Sequence, residues 1–132
     1  MKNYIITSNI FLLFPVIAAF WAREWLYFSI AFGLIIFSTI YHYLSELNPS
    51  KTLLLKISKN LDWILASCGY IYMFYYVFTR VNPLFKIPLF IALALTLVFF
   101  YYGYKFGNYK KLHPWFHFIT FTISGIIVIS KF

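Results

Sequence analysis

Five apolar runs, at 4–21, 25–44, 63–78, 87–104 and 112–130, occupy most of this 132-residue chain. Each is close to the roughly 17–25 helical residues that a hydrocarbon core requires. The separators are short and built from charges and breakers: Arg23–Glu24, then Asn48–Pro49–Ser50–Lys51, then Arg80 to Pro83 with Pro88 just beyond, then Gly107–Asn108–Tyr109–Lys110. Lipid offers no partner to a free backbone N–H or C=O, so such runs are read as helices. The expected fold is an all-α integral membrane protein, one five-transmembrane-helix bundle over 1–132. Composition agrees, with 63% hydrophobic residues and a mean hydropathy of +0.81, far above soluble usage. Trp21, Trp25, Trp63 and Trp115 all fall at expected span ends, where amphipathic rings prefer the headgroup level.

The formal charge of +8 does not point to nucleic acid, because the basic residues are scattered through short loops and not gathered on a soluble face. Topology accounts for them. The face on which the chain starts carries Lys2, Lys51, Lys56, Lys59, Lys105, Lys110 and Lys111, against Arg23, Arg80, Lys86 and Lys131 on the other, so the N-terminus is expected at the cytoplasmic side. The first run, about 18 residues, exceeds the roughly 7–15 of a signal-peptide core and is read as a helix that stays. Cys68 is the single cysteine and can form no internal disulfide. Pro15 is tolerated in a membrane helix and is expected to kink it. Gly103 and Gly107 read as a helix end and turn, and Tyr70 to Phe78 as bundle packing.

Polar side chains inside a bilayer need a partner, a metal or a cavity, and here they form stripes. Ser38, His42 and Ser45 stand at i, i+4 and i+7. Asp62, the only aspartate, opens the third run, with Ala66 and Gly69 following on an inward face. His113, His117, Thr120 and Ser124 stand at i, i+4, i+7 and i+11. Counting crossings puts His42, Asp62, His113 and His117 in one leaflet, with Ser38 one turn deeper, roughly 6 Å along the axis.

An i, i+4 histidine pair and a third imidazole from a facing helix make the three-ligand set of hydrolytic zinc, with one position left for water. Zn2+ lowers the pKa of that water toward neutrality. Asp62 is placed to act as general base and acid, and Ser38 to hydrogen-bond the water or a developing oxyanion. Each residue alone has a plainer reading: an interfacial histidine as an anchor, Asp62 as a helix N-terminal charge, Ser38 bonded back to its own helix. Anchoring does not explain why every histidine and the only aspartate lie at one depth. Glu46 reads as an interfacial charge, or as an outer partner of His42.

At these residues the chain resembles the CREST superfamily of membrane proteins, which includes alkaline ceramidases, the adiponectin and progestin receptors and hemolysin III-like proteins. Ser38-Thr39-Ile40-Tyr41-His42 is similar to its S-x-x-x-H motif, Leu61-Asp62 to its aspartate motif, and His113-Pro114-Trp115-Phe116-His117 to its H-x-x-x-H motif. The resemblance covers the second, third and last helices, about half the chain. It implies zinc on His42, His113 and His117, with Asp62 and Ser38 catalytic. The implied reaction is hydrolysis of a lipid amide or ester; because the polar loops are too short to build a soluble pocket, the lipid is expected to enter laterally from the bilayer. Two departures stand out. The family has seven helices, so a pair is missing between the fourth and last, which leaves the cavity open and points to a homo-oligomer or a degenerate relative. Pro114 disfavours a helical His113; were proline in the first turn, His113 would be a cap. Two other classes compete: a haem protein, for which two histidines suffice, and a non-enzymatic receptor, scaffold or assembly subunit whose structural zinc takes a fourth ligand such as Glu46.

Overall fold

The computed structural model describes residues 7–47 and 52–131. Lys2, Lys51, the Asn48–Pro49–Ser50–Lys51 breaker and the first residues of the 4–21 run lie outside the described residues. Helices follow in the order α1 (Leu13–Trp21), preceded by a 3-10 turn over Asn9–Leu12, then α2 (Trp25–Leu47), α3 (Leu53–Thr79), α4 (Pro83–Lys105) and α5 (Tyr109–Ile129). Among the described residues there is no strand. The four helices α2 to α5 are each long and apolar enough to cross a membrane, whereas the Asn9–Trp21 segment is shorter. The chain is thus an all-α membrane bundle.

The helix starts differ from the expected ones for local reasons. α3 begins at Leu53, well before 63, because Thr52 caps it by accepting from the Leu55 N–H at 3.2 Å. The exposed Lys56 and Lys59 ride on this extension beyond the apolar run. Asp62 therefore lies about two and a half turns inside α3 and does not open it. α4 begins at Pro83, with Asn82 Oδ1 accepting from the Leu84 N–H at 3.1 Å and proline at the position where its missing N–H costs nothing. Pro15 likewise sits in the first turn of α1, directly after the 3-10 segment.

Helix ends are closed by backbone geometry. After α1, Glu24 N–H reaches Ala19 C=O at 2.9 Å and Arg23 N–H reaches Phe20 C=O at 3.1 Å, a Schellman pair that holds Arg23 at φ 56°. After α4 the left-handed position, φ 69°, is taken by Gly107. Lys86 Nζ donates to Phe78 C=O at 2.7 Å, so α4 supplies a cation to the C-terminal end of α3.

α5 is the central helix: 44% of its most apolar stretch is buried, against 11–17% in α2, α3 and α4. It packs on α1 and α4, while α3 leans chiefly on α2. Gly125 admits the Phe14 ring of α1, which any β-carbon there would displace. The interior is divided between the two ends of the bundle. Apolar packing gathers where α1 and α3 end and α2 begins, around Ala19, Tyr27, Met73, Tyr76, Ile127 and Val128. Buried polar groups gather at the other end, among them Ser8, Asn9, Ser38, His42, His113 and His117.

At the apolar end, Glu24 ties three elements together. Its carboxylate accepts from Tyr72 at 3.0 Å, Tyr76 at 3.1 Å and Lys131 Nζ at 3.0 Å. Burial pushes its pKa up, but the hydrogen bonds from Lys131, Tyr72 and Tyr76 and the Lys131 charge outweigh this and hold it below the ordinary 4.5.

Candidate metal centre

His42 reaches the polar end on α2, and His113 and His117 reach it on α5, where Pro114 is inside the helix. His113 is helical and not a cap, so the i, i+4 pairing is kept and the two rings stand 4.3 Å apart. The His42 ring lies 5.3 Å from His113 and 6.2 Å from His117. All three residues are buried, and one nitrogen from each falls within 4.8 Å of the others.

This group can hold a metal ion. His42 Nε2 and His113 Nδ1 are buried without a hydrogen-bond partner among the described residues, a costly condition that coordination removes. Three imidazoles are a donor set suited to a borderline cation. With the three donor atoms within 4.8 Å of one another, one ion could be held among them. Among the described residues no fourth His, Cys, Asp or Glu joins the group; Glu46 is exposed, and Ser45 donates to the His42 carbonyl at 2.9 Å.

Ser38, Asp62, His113 and His117 line one cavity of about 470 Å3, and His42 adjoins it through its ring contacts with His113 and His117. Ser38 donates to Asn9 Oδ1 across a long 3.5 Å contact, and Asn9 Nδ2 donates to Thr39 Oγ1 at 3.2 Å. The cavity runs from this polar corner along α2 to Tyr27 and along α3 to Met73, about 16 Å at 1.5 Å per residue. Its walls are otherwise mostly apolar. The stripe His113, His117, Thr120 and Ser124 is buried as its spacing predicts. Thr120 meets the Tyr70 hydroxyl at 3.2 Å, and Ser124 donates to the Phe121 carbonyl. Ala66 and Gly69 line the cavity; at Gly69 a β-carbon would make only ordinary contact with Ile30, so the face is inward without the close helix approach expected of it.

Three polar neighbours are additional to the expected site. Ser8 Oγ lies 2.9 Å from His117 Nδ1, Tyr109 Oη lies 3.2 Å from His113 Nε2, and Asn9 holds Ser38. Tyr109 continues the i, i+4 series of His113 and His117 and was legible from spacing. Ser8 and Asn9 carry no such signal, because they meet the site only through packing of the N-terminal turn.

No protein-family model, curated protein or solved structure matches the chain.

Proposed function

We propose that the chain is a membrane-embedded zinc-dependent hydrolase of a lipid amide or ester, of the ceramidase-like kind within the CREST superfamily. The observation that carries this reading is a buried three-histidine group with two unpartnered ring nitrogens, set beside a long apolar cavity whose lining includes His113, His117, Asp62 and Ser38. His42, His113 and His117 would hold a zinc ion, which when bound would supply a water acidified toward neutral pH. Asp62 lines the cavity but is not in the donor group, which suits a base and not a ligand. It accepts the nucleophilic water's proton and returns it to the departing amine or alcohol. The Ser38 hydroxyl, shared between a long 3.5 Å contact to Asn9 Oδ1 and the Asp62 carboxylate, is placed to donate to the substrate carbonyl as its oxygen gains charge.

The apolar reach of about 16 Å suits one acyl chain. Trp63, Ser67 and Ile71 of α3 and Leu97 of α4 line the cavity yet are exposed, which supports a mouth between these helices opening to lipid. With the basic residues counted above, the site falls at the cytoplasmic face. Three ligands leave a position free, which favours catalysis over a receptor or scaffold with a closed zinc site.

Elemental analysis of detergent-purified protein, beside a His113→Ala, His117→Ala double variant, tests the reading. Near-stoichiometric zinc in the parent and none in the variant is expected, with turnover of lipid amides or esters by the parent only. Metal without turnover of any lipid amide or ester would favour the receptor or scaffold; no metal in either protein would remove the hydrolase.

A further inference from the structure

The three histidines offer their ring nitrogens in different ways, and the hydrogen-bond partners lie outside every motif. His117 meets the Ser8 hydroxyl through Nδ1, at 2.9 Å, so Nε2 is the nitrogen left to the centre. His113 meets the Tyr109 hydroxyl through Nε2, at 3.2 Å, and its unpartnered buried atom is Nδ1. For His42 the unpartnered atom is Nε2. Two histidines on one helix, one turn apart, thus use opposite ring nitrogens for their hydroxyl partners, Nδ1 in His117 and Nε2 in His113.

We infer that Ser8 and Tyr109 are positioning residues that select a mixed ligand set, Nε2 of His42, Nδ1 of His113 and Nε2 of His117, for a bound divalent cation. This rests on the reading of the triad as a metal centre. A neutral imidazole that ligates through one nitrogen carries its proton on the other, and that N–H needs an acceptor. Ser8 Oγ accepts the hydrogen bond from His117 Nδ1–H and Tyr109 Oη accepts that from His113 Nε2–H, in each case fixing tautomer and ring orientation. The setting strengthens the restraint. Ser8 is 4% exposed and His117 is equally buried, so water does not readily replace a lost hydroxyl. Tyr109 is anchored four residues before His113 on the same helix, its ring centroid 4.3 Å from the imidazole. Partners of this type are generally worth 10–100-fold in metal affinity. The N-terminal turn, which carries no ligand, thereby becomes part of the site.

The test is titration of metal-stripped, full-length protein in detergent with Zn2+, and with Co2+ read by its visible absorption, for the parent and Ser8→Ala, Ser8→Thr and Tyr109→Phe. Ser8→Ala and Tyr109→Phe should each weaken binding by about 10–100-fold, and Ser8→Thr, which keeps the hydroxyl, should bind as the parent does. Nitrogen-15 NMR of the zinc-loaded, histidine-labelled parent should show one ring ligated through Nδ1 and two through Nε2. Parent-like affinity in both hydroxyl-deleted variants, or three rings alike in the spectrum, would overturn the inference and leave the metal centre standing. Failure of the parent to bind either cation would overturn both. Weakened binding in Ser8→Thr as well as Ser8→Ala would assign Ser8 a packing role and overturn its part.

Discussion

At the scale of single residues, chemistry and strain are set by neighbours that can be named. Asp62 lies on the cavity wall and outside the donor group, so Asp62→Asn should retain zinc and lower lipid turnover by about 10²–10⁴-fold. Metal content and turnover on the same preparation check this, and unchanged turnover would remove Asp62 from the reaction. Arg23 shows the opposite kind of dependence, on backbone shape alone. Its φ of 56° costs an L-residue roughly 1–2 kcal/mol, while glycine loses about 0.5–1 kcal/mol more conformational entropy on folding. The first figure is larger, so Arg23→Gly should stabilise the fold by about 0.5–1 kcal/mol. Equilibrium unfolding in mixed micelles is the measurement, and a loss of stability would contradict it.

At the scale of elements, α5 carries the site because one face of it is buried along its whole length. Periodicity announced that face: His113, His117, Thr120 and Ser124 fall on it, while Thr122 turns away and donates to the Phe118 carbonyl at 2.7 Å. Pro114 argued locally for a broken start, yet the helix begins at Tyr109 and runs through it. Packing of α5 against its neighbours outweighs the local preference. Only the Lys110 carbonyl, four residues earlier, loses its in-helix donor. Pro114→Ala should therefore leave zinc stoichiometry unchanged, since His113 is already helical; substantial loss of metal in that variant would show that proline shapes the site. The early start of α3 was hidden for a simpler reason. A hydropathy reading ends where lysines begin, whereas a helix continues beyond the membrane as long as its cap and propensity allow.

At the scale of the whole molecule, the two ends of the bundle are held by different forces. The site end is polar and hollow. The opposite end is packed, and Glu24 draws the α1–α2 turn, α3 and the end of the chain together. Its pKa is lowered on folding, so the stability it contributes is full above its unfolded value near 4.5 and is lost as pH falls through the folded value. Stability should decline with acidification below about pH 4.5, and Glu24→Gln should flatten that part of the profile while weakening the protein at neutral pH. Thermal denaturation in detergent from pH 3 to 7 would show it; identical profiles for the two proteins would assign the acid sensitivity elsewhere.

The sequence by itself determined the class of fold, the approximate helices, and the faces on which the histidines and Ser38 lie. Those features follow from two local facts, the thickness of a hydrocarbon core and the 3.6-residue period of a helix, and both are written in consecutive residues. Crossing parity even placed His42, Asp62, His113 and His117 at one end. Only the tertiary structure decided that the three rings come within one donor group, that Asp62 stays outside it, and that a cavity opens beside it. It alone brought Ser8 to His117, across a separation of 109 residues. Contacts of that kind depend on how helices lean and rotate against one another, which side-chain volumes across the whole bundle settle together and no single stretch of sequence encodes.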